Sequence, residues 1–192
     1  MNTVAKETVI EFIEKKSKFI GYIKPVTTVK EAEEYIHRIS EKNFDATHNV
    51  YVYRVVENNQ EYFKFNDNGE PVNTAGKPMA EIILRLGVSN LVIVATRYFG
   101  GIKLGAGGLI RNYAKTAKLA INDAGIVEYI SKKNILIDFD YSKSTEVETK
   151  LEKNGIEILD KMYNERIIMK LNVSEEELDK IKEIQGIILI ET

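Results

Sequence analysis

The chain reads as an α+β protein of two domains, on the strength of three stretches. Leu91 to Gly125 places a short apolar run, five glycines and an amphipathic helical period in direct succession. Residues 8 to 87 alternate strand-like and helix-like patterns around it. From Asn134 to Thr192 the order is strand, helix, strand, strand, helix, strand, and a βαββαβ unit of this kind is a ferredoxin-like sandwich. The first two stretches define a domain over 1–130 and the third a domain over 131–192, with a boundary near Tyr129–Lys133 that no Pro/Gly/Ser linker marks.

Thr8–Ile13 and Lys18–Lys24 alternate as two strands joined by the polar KKS segment, and Pro25 closes the second. Thr28 and Glu31 have capping-box spacing, and Ala32, Tyr35, Ile36 and Ile39 form one helical face that ends near Asn43. Val50–Val56 and Tyr62–Phe65 read as a strand pair around the turn Glu57–Gln60. Asn66 to Gly76 is turn chemistry throughout. Helix resumes at Lys77 or Pro78, because proline has no amide hydrogen to leave unpaired in a first turn. Met79, Ile82, Ile83 and Leu86 are its buried stripe, and Gly87 ends it.

Leu91–Ala95, rich in Val and Ile, has the continuous apolar character of a central strand covered on both faces. The helical period begins at Leu109, with Ile110, Tyr113, Ala114, Ala117, Ile121 and Ala124 on the inner face and Gly125 at the C-terminus. Arg111, Lys115, Lys118 and Asn122 lie opposite. In the second domain the strands are Ile135–Phe139, Ile156–Tyr163, Arg166–Val173 and Ile187–Glu191. Helices fill Ser144–Asn154 and Glu175–Gln185, the latter capped by Ser174 and Glu177.

Composition narrows the chemistry. The absence of cysteine excludes disulfides, thiolate metal sites and cysteine nucleophiles. The N-terminal MNTVAKETVIEF has no signal-peptide core and no apolar run reaches membrane-spanning length, so a cytoplasmic protein without a membrane partner is expected. The net charge of −2 does not mark a dedicated nucleic-acid binder.

Three groups of residues carry candidate chemistry. The glycines Gly100, Gly101, Gly105, Gly107 and Gly108 let a backbone approach closely or hold an anion at a helix N-terminus. A P-loop is excluded because Ala106 follows Gly105 and Lys103 precedes it. A dinucleotide fingerprint is excluded because Ile110 stands where its third glycine belongs. Tight packing and anion binding both remain open. Arg97 and Lys103 bracket these glycines beside Tyr98 and Phe99, an arrangement suited to phosphate and base contacts, whereas Lys115 and Lys118 read as a solvated helix face. The loop with Asp67, Asn68, Glu70, Asn73, Thr74 and Lys77 reads first as turn chemistry and second as an acid–base or cation site. His48, just before a strand, has no neighbouring acid or nucleophile in sequence and reads as structural.

KKSKFIGYI, ATHNVYVYR, NDNGEPVNTAGKP and RYFGGIKLGAGGLIRNYA resemble the YigZ/IMPACT family over essentially the whole chain. His48, Asp67, Glu70, Thr74, Gly76, Lys77, Arg97, Tyr98, Gly100, Gly101, Lys103, Gly105, Gly107, Gly108 and Arg111 fit its motifs. The resemblance implies an N-terminal domain folded like the second domain of ribosomal protein S-five and a C-terminal domain like the ferredoxin-like domains of elongation factor G. The family's eukaryotic member restrains a starvation-responsive translation-initiation kinase, through a partnership that involves an extra N-terminal domain. The family usually carries a second acidic residue where this chain has Asn68, and small residues at Val72 and Asn73, which argues against a metal here.

The expectation is a non-enzymatic cytoplasmic regulator linked to translation, with no cofactor and no metal. Lys77, Arg97, Tyr98, Lys103, Gly105, Gly107, Gly108 and Arg111 would meet RNA, the ribosome or a translation-associated protein. One alternative is an enzyme acting on a phosphorylated small ligand or nucleotide held at the glycine turn. Another is a protein-binding module using the C-domain sheet.

Overall fold

A computed structural model describes residues 1–58 and 60–191, with the side chain of residue 191 left out. Asn59, inside the turn expected between Glu57 and Gln60, lies outside the described residues. The chain divides into two compact units, Met1–Tyr129 and Ile130–Thr192.

The first unit contains β1 (Asn2–Val4), β2 (Thr8–Glu14), β3 (Ser17–Pro25), α1 (Val29–Lys42), β4 (His48–Glu57), β5 (Gln60–Asn66), α2 (Gly76–Leu86), β6 (Leu91–Tyr98), α3 (Gly105–Ala124) and β7 (Ile126–Glu128). Its main sheet has the order β2-β3-β6-β4-β5, antiparallel throughout. The short pair β1–β7, too brief to show a sequence period, ties the start of the chain to the end of α3.

Strand β6 is central and buried on both faces. Leu91, Ile93 and Ala95 join Phe19, Met79, Ile83 and Tyr113 beneath α2 and α3, while Val92 and Val94 join Tyr35 and Ile39 beneath α1. The period-2 alternation of a strand makes this division, and it sends Arg97 and Tyr98 to opposite faces. Helix α1 carries the full capping box: Thr28 Oγ1 accepts from the Glu31 amide and Glu31 reaches back to the Thr28 amide. The bonds to Thr27 and Thr28 hold the Glu31 carboxyl below its usual range.

Helix α3 differs from its sequence reading in two ways. It begins at Gly105 rather than Leu109, so Gly105, Gly107 and Gly108 are its first turn and not a loop. Its inner face is also rotated: Leu109, Asn112, Tyr113, Thr116 and Ala117 are buried, while Ile110 is exposed. Asn112 and Thr116 can turn inward because each donates to its own helix, at Gly108 O (2.9 Å) and Asn112 O (2.8 Å). Such back-bonding removes the cost of burying an unpaired polar group, and a count of apolar positions cannot see it.

The second unit contains β8 (Lys133–Phe139), α4 (Ser144–Lys153), β9 (Glu157–Tyr163), β10 (Ile167–Val173), α5 (Glu175–Lys182) and β11 (Ile187–Glu191). The sheet order β11-β8-β10-β9 is antiparallel, and Val147, Leu151, Leu178 and Ile181 of the helices pack on Ile135, Ile137, Met169 and Leu171. This is the ferredoxin-like sandwich expected from the βαββαβ pattern.

The β2–β3 hairpin has a two-residue loop, Lys15–Lys16, with φ of 46° and 65°. A right-twisted hairpin favours this geometry, but Asn-Gly adopts it far more readily than two side-chain-bearing lysines. Replacing Lys15→Asn together with Lys16→Gly therefore raises stability by about 1 kcal/mol, or roughly 2–4 °C in Tm, as calorimetry can measure.

Candidate functional site

The end of β6, the loop before α2 and the N-terminus of α3 surround a cavity of about 380 Å³. Pro71, Phe99, Leu104 and Leu109 give it apolar walls, and His48, Glu70, Arg97 and Lys103 give it polar ones. Thr47, Gly105 and Ala106 complete the lining.

Glu70 anchors the cavity. Its side chain is 3% exposed, and Oε1 accepts from Arg97 Nη1 at 2.7 Å and from the Tyr113 hydroxyl at 2.8 Å. Burial, reinforced by the adjacent carboxylate, pushes the Tyr113 hydroxyl far above its ordinary pKa, so it remains a donor. His48 is the first residue of β4, with Nδ1 2.8 Å from the Asn68 carbonyl and Nε2 3.7 Å from Glu70 Oε2. The histidine therefore does have an acidic neighbour, brought from 22 residues away by the loop.

Arg97 is corrected from the sequence reading as a surface cation. It is 5% exposed, neutralised by Glu70, bonded through Nη2 to Ser17 Oγ (3.3 Å) and set between the Phe19 and Phe99 rings at 5.7 and 5.5 Å. Tyr98 is on the other face of the sheet, where its hydroxyl donates to Asp45 at 3.0 Å, and it takes no part in the cavity. Lys103 and Gly105 line the cavity as the motif suggested. Gly107 and Arg111 lie on the exposed side of the first turns of α3, and Gly108 is buried. Lys77 is exposed at the start of α2 and does not line the cavity.

Asp67 shapes the loop. Oδ1 accepts from the Ala75 and Gly76 amides at 3.1 and 2.8 Å, and Oδ2 from the Asn73 amide at 2.8 Å. The carboxylate thereby occupies the N-terminus of α2, which has no cap from Ala75 itself. Thr74 Oγ1 donates to Pro71 O at 2.6 Å, and a Cβ on Gly76 would come 3.1 Å from the Asn66 backbone. Asn68 and Asn73 take positive φ, so turn chemistry accounts for this loop. Among the described residues no group of three or more His, Cys, Asp or Glu could hold a metal ion. Lys115 lies over the Phe12 ring at 4.2 Å, and Lys118 faces solvent.

Two participants were not singled out by sequence. Ser17 is buried beneath the Lys15–Lys16 turn, where Oγ accepts from both Arg97 and the Gly100 amide. Tyr113 reads only as an apolar stripe residue until its hydroxyl is seen on Glu70. A Cβ on Gly100 would come 1.9 Å from the Lys16 carbonyl oxygen, so that glycine is required for the hairpin to close on β6.

The pattern of the Impact N-terminal domain matches residues 15–121. The chain is 37% identical over 173 residues to the IMPACT family member YvyE of Bacillus subtilis, covering 90% of this chain and 79% of that one. A crystal structure of a hypothetical protein covers 100% of this chain and 96% of its own at a TM-score of 0.68 and 22% identity, and so shares the fold. The two-domain translational regulator Yih1 aligns over 65% of this chain and 47% of its own, at 23% identity and a TM-score of 0.41, too low to bear on the fold. Among the described residues, no helix is long and apolar enough to cross a membrane.

Removing one partner of the buried pair leaves the other charge stranded. Glu70→Ala should cost about 3–5 kcal/mol in urea unfolding, whereas Glu70→Leu with Arg97→Met should recover much of that loss. Equal destabilisation by the single and double variants would show that the pair is not the source.

Proposed function

The chain belongs to the Impact N-terminal domain family, and from that premise we propose a non-enzymatic, cytoplasmic regulator linked to translation. The rim of its cavity contacts RNA phosphates, on the ribosome or on free RNA. The observation that carries this reading is the unpaired charge around the α3 N-terminus. Among the described residues no carboxylate lies within 4 Å of Lys103 or Arg111, whereas Lys18, Lys30, Arg38, Arg54 and Lys64 on the same unit each have one within that distance. Arg97 contributes no free charge, because Glu70 has taken it.

The backbone adds to this. Leu104 precedes α3 without a side-chain cap, so the first amides of a 20-residue helix have no side-chain acceptor. Amides and dipole together favour an anion at that end. Lys103 stands next to them, and a phosphodiester satisfies both. The translation-linked role that the family resemblance implies supports the choice of an RNA-rich setting for this contact.

Phosphate contacts release counterions, so the affinity for ribosomal RNA or ribosomes falls steeply with salt, with a log–log slope of about −0.7 to −0.9 per phosphate neutralised. Lys103→Ala and Arg111→Ala should each reduce that slope by about one, without changing the melting temperature. Filter binding between roughly 50 and 200 mM salt is the measurement. Binding indifferent to salt and to both substitutions would remove the proposal.

A further inference from the structure

We propose that the cavity takes one unstacked nucleotide, with its base against Phe99 and its phosphate at Lys103 and the first amides of α3. This rests on the reading of the rim as a phosphate-contacting surface, and it names what enters the cavity behind that rim.

The cavity is amphipathic in a way that a phosphate alone leaves unexplained. Its charged side is Lys103 and the uncapped helix end, while Phe99, Leu104 and Leu109 form an apolar side. Phe99 is 45% exposed. Its amide donates to Thr47 Oγ1 at 3.0 Å and the Arg97 guanidinium lies 5.5 Å from its centroid. A half-exposed ring beside a guanidinium is a stacking platform for a base.

Two further details describe the wall. Arg97 contributes its guanidinium to it, with an Nε that is shielded from solvent and has no hydrogen-bond partner among the described residues. A Cβ placed on Gly105 would meet nothing within 4 Å, so the space in front of the helix end is open. The volume of about 380 Å³ lies within the range of small-ligand sites. A duplex keeps its bases stacked inside and cannot place one in such a cavity without extruding it. The site therefore selects unpaired nucleotides, either within single-stranded RNA or free in solution.

Fluorescence anisotropy with a labelled single-stranded RNA, the same sequence as a duplex, and AMP as competitor tests this on the full chain. Single-stranded RNA should bind more tightly than duplex. Phe99→Ala should weaken the single strand by roughly 5- to 150-fold, the span of one lost base stack, and leave the duplex unchanged. Phe99→Trp should retain the preference, which separates stacking from folding if Phe99→Ala lowers the melting temperature. Displacement by AMP assigns the site to free nucleotides as well; retention of the RNA assigns it to an unpaired base within a strand. Equal binding of both RNA forms, or single-strand affinity that ignores both Phe99 variants, overturns the inference. RNA binding that is salt-dependent but blind to strand form would overturn it while leaving the phosphate-contacting rim intact. AMP binding that Phe99→Ala abolishes, without any RNA binding, would support the cavity and remove the RNA reading.

Discussion

One buried carboxylate holds the site together. Glu70 accepts from Arg97 on β6 and from Tyr113 on α3, and it belongs to the loop that leads into α2. Three segments distant in sequence thus share a single charged group inside the protein. Burying such a pair costs desolvation that the ion pair alone repays poorly, so its value lies in specifying one arrangement. Any other register of the loop would leave Arg97 or Glu70 buried without a partner. The network also sets the electrostatics of the cavity, since it cancels the Arg97 charge and leaves Lys103 as the free cation.

The same network depends on the sheet beneath it. Because β6 is covered on both faces, alternation assigns Arg97 to the α2/α3 side and Tyr98 to the α1 side. Ser17, at the start of β3, then bonds both Arg97 and the Gly100 amide, which fixes where the chain leaves the sheet. The Lys15–Lys16 turn closes over Gly100 in a left-handed conformation that lysine adopts at a cost. Strain of this sort persists when the surroundings determine it. Here they are the strand exit and the first residues before α3.

Local signals reported most of the fold. The Thr28 and Ser174 capping boxes, the Gly87 helix end and the βαββαβ order each follow from interactions within a few residues, and each is present. The site was legible in part. RYFGG-x-KLG-x-GGL located the β6–α3 junction, and Lys103 and Gly105 are at the cavity. The pairing of Arg97 with a carboxylate 27 residues away was not legible, nor was the approach of His48 to that carboxylate, because neither leaves a period or a spacing. The rotation of α3 escaped for a related reason: Asn112 and Thr116 satisfy themselves on their own helix and so occupy positions that polarity alone assigns to solvent.

The glycines illustrate why packing and ligand binding need not compete as explanations of one motif. At Gly100 a side chain would collide with the Lys16 carbonyl, and at Gly108 it would press on Leu104 at 3.0 Å, so these two positions serve close approach within the fold. At Gly101 and Gly105 a Cβ would meet nothing, yet φ of 85° and 69° disfavours any other residue there. Those two take the left-handed conformation on either side of Lys103, just before and at the start of α3, whose first turn has no side-chain cap from Leu104. Spacing tests for nucleotide motifs treat all five glycines as one device and find no match. Resolved position by position, the first pair brings the hairpin and the helix start into place, and the second leaves the end of that helix uncovered. A helix end uncovered in this way retains unsatisfied donors, and the only cation beside it without a carboxylate partner is Lys103 among the described residues lining the cavity.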